Sequence, residues 1–460
     1  MKGKRNASRR KKLFAGRALK ATRLEDLPRV NQHAAGIDIG SQSHFVAVPP
    51  GSCAESVRQF GTFTHDLLAI ADWLAQCQVS SVARESTGVY WVPLYEVLEA
   101  RGFAVKLVDA RKVKNVSGRN SDVLDCQWLQ QLESYGLLSA AFRPADAIVV
   151  LRALMRQREM LIKSASSHIQ HMHKALQQMN LRLDNVVSDV TGVSGMRIIK
   201  AILKGERDVE KLAALRDGRC HATAEVMAAS LVGNYRSEHL FALKQAVELF
   251  EFYQQKIGEC EEELEVYLKS LPHQREDEPP PGQGQSKKSR RIGFNVRDEA
   301  YKLTGVDLFA ITGVSAETVL RLLSEVGVDL QRFPSEKHFA SWLGLCPEKK
   351  VSGGKVLSSP TRPSANRAAS ALRQAAVCVQ RSDSELGAYY RRMRGRMAGV
   401  KAVTATAHKL ARQYYRMVKK GEQYVEGGAQ AYEERHRQQV VNKLQKRARR
   451  LGYELVALTA

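Results

Sequence analysis

Four carboxylates stand out by what surrounds them. Asp38 interrupts an apolar run, Gly36-Ile-Asp-Ile-Gly, where a charge is costly unless it faces a site or meets a partner. Glu85 closes a second apolar run, Ser81-Val-Ala-Arg-Glu. Asp122 and Asp125 stand three apart at the start of a helical pattern, so both project from one face, about 5–6 Å apart. At an effective dielectric near 20, two carboxylates ~4 Å apart repel by ~4 kcal/mol. Four converging acids therefore need a compensating cation, and hard oxygen donors select Mg²⁺ or Mn²⁺. Two such ions, about 3.5–4 Å apart, clamp the attacking and leaving oxygens of a phosphodiester displacement. Taken singly, each acid has a plainer reading. Asp122 suits a helix N-terminus, Asp125 suits a surface, and Glu85 suits a pairing with Arg84 or Arg111. The order strand-Asp, strand-Glu, helix Asp-x-x-Asp is what marks the set.

The elements that must carry these residues alternate between strand and helix. Ala34 to Gly40 and His44 to Val48 read as two strands around a tight Gly40-Ser41 turn. Leu67–Cys77 has helical periodicity, Ser80–Glu85 is a short buried strand, Tyr90–Ala100 a helix stopped by Gly102, and Phe103–Asp109 another strand. Asp122–Leu132 is a helix with Ser121 as its N-cap. That alternation implies an α/β domain over 34–146. Two long helical stretches, about Ala147–Leu183 and Glu238–Leu271, suggest a helical hairpin or coiled coil within 147–272. Residues 273–300 read as a linker through Glu278-Pro-Pro-Pro-Gly and Lys287-Lys-Ser-Arg-Arg. A compact region over 301–420 and a basic helical tail over 421–460 follow.

Charge names the partner class. The 460 residues carry 71 Lys and Arg against 48 Asp and Glu, a formal net charge of +23. Such an excess destabilises a compact state unless a polyanion neutralises it, and nucleic acid is the commonest such partner. The basic residues cluster in a disordered arm within 1–33, at Arg111, Lys112, Lys114 and Arg119, at Lys355 and Arg362, and at Arg391, Arg392, Arg394 and Lys401. All are candidates to hold nucleic acid, with a strong salt dependence expected. The 7 cysteines form no Cys-x-x-Cys pair and no even framework, so buried thiols in a reducing cytoplasm are expected. No apolar run is long enough to span a bilayer, so no membrane partner is expected.

Other motifs point less sharply. Gly36-Ile-Asp-Ile-Gly-Ser also resembles the first phosphate loop of the actin and sugar-kinase superfamily, but the second glycine-paired loop is not evident. Val351-Ser-Gly-Gly-Lys lacks the phosphate-loop frame, since Val356 follows Lys355. Val190-Thr-Gly-Val-Ser and Ile311-Thr-Gly-Val-Ser form a weak repeat, each a glycine turn opening a helix. The second copy is the better candidate for a backbone grip on phosphate. His168 and His171 share a helix face, but a surface or interface role outweighs a metal there.

The ordered motifs resemble the DEDD transposases of insertion-sequence family one hundred and ten, which includes the pilin-gene invertase. In the first half these are Gly36-Ile-Asp-Ile-Gly, Glu85-Ser-Thr-Gly-Val-Tyr-Trp, Val108-Asp-Ala-Arg-Lys-Val-Lys-Asn and Asp122-Val-Leu-Asp-Cys-Gln-Trp-Leu. In the second they are Phe333-Pro-Ser, Phe339-Ala-Ser-Trp-Leu-Gly-Leu-Cys-Pro, Ser352-Gly-Gly-Lys and Leu372-Arg. The resemblance implies a RuvC-like RNase H-fold domain with Asp38, Glu85, Asp122 and Asp125 holding two Mg²⁺ (or Mn²⁺). It implies next a coiled-coil segment mediating dimers and tetramers, then a mainly helical C-terminal transposase domain with a serine nucleophile. It also implies a bridge RNA that selects donor and target DNA, in a prokaryotic, nucleoid-associated protein. Ser352 best fits the family's Ser-Gly-Gly pattern. Pro360-Thr-Arg-Pro-Ser-Ala-Asn-Arg departs from the family's Ile-Ser-Lys-Arg-Gly, which leaves Ser358, Ser359 and Ser364 open beside it. Lys355 or Arg362 would stabilise developing charge, with His338 a candidate base. Two alternatives remain: a RuvC-like junction resolvase in which water attacks, and a nucleic-acid binder without catalysis.

Overall fold

The structure, a computed structural model, describes residues 28–85, 88–108, 121–275, 292–363 and 366–456. Most of the basic arm, the Arg111, Lys112, Lys114 and Arg119 cluster, most of the linker and Ser364 lie outside the described residues. The chain divides between Arg143 and Pro144 into two compact units.

In the first unit, five strands form one mixed sheet: β1 Ala34–Ile39, β2 His44–Ala47, β3 Val57–Phe60, β4 Ser81–Glu85 and β5 Ala104–Val108, in the order β3-β2-β1-β4-β5. β1 and β2 form an antiparallel hairpin around the expected turn, with Asp38 opposite Phe45. β4 runs parallel to β1 with Ile37 opposite Arg84, and β5 runs parallel to β4. Alternation then sorts the side chains. Ala35, Ile37 and Val82 pack under Leu67, Ile70 and Leu74 of α1 (Thr64–Gln76) and Leu94 and Leu98 of α2 (Trp91–Ala100). Gly36, Ala83 and Val108 face α3 (Asp122–Ser134), whose Leu129 closes that side. Ser121 caps α3 as expected, accepting from the Leu124 N–H.

Two features lock α3 to the sheet. A Cβ at Gly36 would lie 2.2 Å from the Cys126 carbonyl oxygen and 2.3 Å from the Gln130 nitrogen, so only glycine permits this approach of strand to helix. Glu133 is fully buried, accepting from Ser81 Oγ at 2.5 Å and pairing with Lys106 Nζ at 2.7 Å. One acid thereby ties α3 to β4 and β5. The cysteines differ from the sequence expectation, because Cys53 and Cys77 form a disulfide. Their 24-residue separation carries no local motif, and only the folding of α1 beside the β2–β3 connection brings them together.

In the second unit, α4 (Asp146–Gln178) and α8 (Ser237–Ser270) pack antiparallel as a long hairpin. Tyr267 Oη donates to the Ala147 carbonyl, and His168 stacks on Tyr253, a structural use of that histidine. Three short helices, α5 (Val193–Leu203), α6 (Val209–Ala214) and α7 (Ala224–Ser230), cap the far end through Ile198, Ile202, Leu212 and Met227 packed on Met172, Leu176 and Leu243. Near the other end Arg158 is buried, bonded at 2.8 Å to both Glu261 and Glu317.

The region after the linker is helical: α9 (Val296–Thr304), α10 (Ala316–Val326), α11 (Glu336–Trp342), α12 (Arg367–Cys378), α13 (Glu385–Arg394), α14 (Gly399–Lys420) and α15 (Gly428–Arg450). A two-stranded hairpin, β6 (Lys350–Ser352) and β7 (Lys355–Ser358), interrupts it. The stretch assigned to the linker ends early: Ile292, Phe294 and Val296 are buried and Gly293 N–H donates to Glu261. Gly313, in the second Thr-Gly-Val-Ser turn, sits against α12, where a Cβ would lie 2.4 Å from Val379. Close helix packing is a sufficient reason for that glycine.

Gly36→Ala should force β1 and α3 apart. Overpacking of this kind costs typically 1–3 kcal/mol, so a drop of several degrees in melting temperature is expected. Gly218→Ala, with open space around it, should melt like the parent; equal melting of the two variants would contradict the close approach.

Candidate active site

The alternation that sends Ile37 and Arg84 to the α1–α2 face sends Asp38 and Glu85 to the α3 face, at the C-terminal ends of the parallel pair β1–β4. Because α3 crosses β1 at Gly36 with its residues Cys126–Gln130, its first turn, holding Asp122 and Asp125, extends over the end of β1. The four acids accordingly act on one another. The Asp38 carboxyl is pushed up from 3.8 to about 6, first by burial and then by the charges of Asp122, Asp125 and Glu85. The Cys126 thiol beside them is pushed up to about 12, by burial first and then by Asp38. Arg84 does not join this group. It is fully buried on the opposite face, with its guanidinium over the Trp91 and Tyr95 rings and Nη1 on the Trp91 carbonyl at 2.6 Å. Burial first lowers its pKa to about 9.

Among the described residues no three acids, histidines or cysteines stand close enough to form a ready metal cage. The donor chemistry nevertheless suits a hard divalent cation. All four side chains offer oxygen only, and the repulsion that raises Asp38 is what a cation between them would relieve.

The remaining site candidates lie in the second unit. Ser352 ends β6 and pairs with Lys355 at the start of β7, across Gly353 and Gly354, whose φ values are 54° and 77°. Two left-handed residues define a type I′ turn, which explains the glycine pair. The whole hairpin is solvent-exposed. Arg362 donates to the Ser341 carbonyl at 2.9 Å, and His338 Nδ1 lies 2.8 Å from Ser335 Oγ, the cap of α11. Arg391 donates to the Ser382 carbonyl at 2.8 Å, while Arg394 and Lys401 are exposed. Arg392 lies over Tyr389 and Tyr432. Sequence reasoning reached Arg392 but not the aromatic partners, because Tyr432 is 40 residues away on another helix. It also passed over Glu133, which follows no charge pattern.

A five-stranded sheet in this order, with an acid at the end of each central parallel strand and two more on the helix crossing them, defines an RNase H-like phosphoryl-transfer domain. The sequence matches two transposase family models: a DEDD transposase model of the IS110 type over residues 35–181, and the model described as Transposase IS116/IS110/IS902 family over residues 307–391. No curated protein matches the chain. The chain belongs to the IS110 family of transposases, DNA phosphoryl-transfer enzymes that move a mobile element.

The raised Asp38 carboxyl gives a signed test. A folded state that holds a proton more tightly than the unfolded chain loses relative stability as pH rises through the interval between the two pKa values. In EDTA, wild-type stability should therefore fall between about pH 4 and pH 6 relative to Asp38→Asn, leaving the variant with the higher melting temperature at pH 8. Added Mg²⁺ or Mn²⁺ should raise the melting temperature of the wild type only. A difference between the two proteins that is the same at pH 4 and pH 8 would rule out the acidic cluster.

Proposed function

We propose that Asp38, Glu85, Asp122 and Asp125 hold two divalent cations at which donor and target DNA are cut, and that Ser352 is the nucleophile. The observation that carries the acidic part is the gathering of three carboxylate charges on Asp38, whose carboxyl is raised to about 6 by burial first and then by Asp122, Asp125 and Glu85. When bound, the cations supply charge neutralisation on the phosphoryl oxygens. The protein's own groups do the rest. Asp38 and Glu85, fixed by β1 and β4, and Asp122 and Asp125, fixed by the capped start of α3, hold one geometry. Ser352 Oγ attacks phosphorus, an Oγ–P bond forms, one P–O ester bond breaks, and the leaving oxygen takes up a proton. Lys355, paired across the hairpin from Ser352, lies where it can balance charge on the phosphate. The hydroxyl's own proton goes to a base, for which His338 is the candidate.

Because the Ser352 hairpin is exposed, its environment is completed on this reading by bound nucleic acid or by a second copy. A homodimer assembling to a tetramer is part of the proposal. Phe241, Leu249, Phe252 and Val266 of α8 and Met160 of α4 are exposed, apolar surface that suits helix pairing between copies. A bridge RNA is proposed to choose the DNA, in keeping with the net charge of +23. Sequencing the RNA that copurifies with the protein tests this: one structured species is expected, and random cellular RNA would count against guidance.

Ser352→Ala should reduce strand transfer by on the order of 10³-fold or more and remove the covalent protein–DNA adduct seen on denaturing gels. Asp125→Asn should abolish cleavage and adduct together. Full cleavage by Ser352→Ala, alongside a dead Asp125→Asn, would leave water as the nucleophile.

A further inference from the structure

Helices α13, α14 and α15 line an open cavity of about 320 Å³ far along the chain from the acidic domain. Its lining is cationic and aromatic. Arg392 lies over the Tyr389 and Tyr432 rings at 5.5 and 5.3 Å, and Lys409 Nζ over the same two rings at 5.0 and 4.9 Å. Two like charges thus share two tyrosine faces.

The neighbouring acids are already engaged. Glu385 pairs with Arg435, and Glu336 with Arg412 and Arg416. Glu426, whose charge reaches Lys409, accepts from Thr312, Tyr424 and the backbone N–H groups of Glu385 and Gly428. Arg392 Nε and Tyr432 Oη are both buried without an aligned hydrogen-bond partner, and the Arg392 charge acts on the Tyr432 hydroxyl. A buried donor left without an acceptor is costly. Burial and the Arg392 and Arg412 charges lower the Lys409 pKa. His408 and His436 are likewise pushed toward their neutral forms, by burial first and then by these arginines. Arg392 and Lys409 thus share one lining whose nearest acids are bound elsewhere, an arrangement that suits an anionic ligand. Along α15 the surface continues basic, through Arg437, Lys443, Lys446, Arg447, Arg449 and Arg450.

We propose that this cavity is a phosphate site for a nucleic-acid strand, with Arg392 and Lys409 taking one backbone phosphate, Tyr432 Oη completing its contacts, and the Tyr432–His436 stack receiving the adjoining base. Stacked rings and paired cations are the combination that grips single strands without reading sequence. The proposal rests on the chain handling nucleic acid, but not on the acidic site or Ser352.

The test is binding of labelled single-stranded DNA and RNA oligonucleotides to the full chain in EDTA, across a salt series, so that no cleavage intervenes. Lys409→Gln should weaken binding about tenfold and reduce the log–log salt slope by about 1, with Lys409→Arg restoring the slope. Arg392→Gln should do the same and stands in if Lys409→Gln fails to fold. Tyr432→Ala should weaken binding with the slope unchanged. Unchanged affinity and slope in folded Lys409→Gln and Arg392→Gln would overturn the assignment. So would stabilisation of the wild type by inorganic phosphate that both variants lose while oligonucleotide binding stays intact, since that marks a free-anion site. Loss of cleavage in Asp125→Asn with oligonucleotide binding retained would separate the two sites.

Discussion

The close approach of β1 to α3 at Gly36 is the constraint on which the catalytic domain depends. No side chain fits between the strand and the backbone of Cys126–Gln130, so the distance from sheet to helix is set by main-chain contact and not by adjustable packing. Two residues further along β1 is Asp38, and Asp122 and Asp125 lie within the turn of α3 that precedes Cys126. Glu133, at the other end of α3, fixes the helix rotation by engaging Ser81 and Lys106. With its middle pressed against β1 and its C-terminal end bonded to β4 and β5, α3 has little freedom to turn its acids away from Asp38.

That rigidity has an electrostatic consequence. The chain carries a large positive excess, yet it gathers carboxylates at the one point where they repel. A fold selected for stability alone would disperse them. Holding Asp38 half-buried among three other acids raises its carboxyl to about 6, and groups so perturbed cluster at functional sites. The cavity between α13, α14 and α15 shows the opposite sign of the same arrangement: two cations crowded on the same tyrosine faces.

Much of this was legible in the sequence because local pattern and function coincide. A charge inside Ile37-Asp-Ile39 and at the end of Val82-Ala-Arg-Glu85 is visible without a structure, and Ser121 announces the start of α3. The sheet's other members were harder. β3, Val57-Arg-Gln-Phe60, is short and half polar, and its strand state comes from pairing with β2. The Cys53–Cys77 bond, the burial of Glu133 and the α5–α7 cap all depend on contacts between distant segments, which periodicity cannot report. Arg84 shows the limit from the other side. Its position next to Glu85 suggested an ion pair, but adjacent residues on a strand face opposite ways, and the pleat delivers it to Trp91 and Tyr95 instead.

The same reasoning bears on the serine. The Gly353–Gly354 pair is explained by the type I′ turn alone, because both residues need φ values that L side chains rarely adopt. Glycines beside a serine are therefore no argument for chemistry at that serine. What the turn does supply is placement: it holds Ser352 and Lys355 opposite one another in an exposed hairpin. A serine hydroxyl so placed is a weak nucleophile unless something activates it. On the proposed reading, the hairpin gains its activating surroundings only when DNA and a second copy are assembled, which would keep strand cleavage silent in the lone chain.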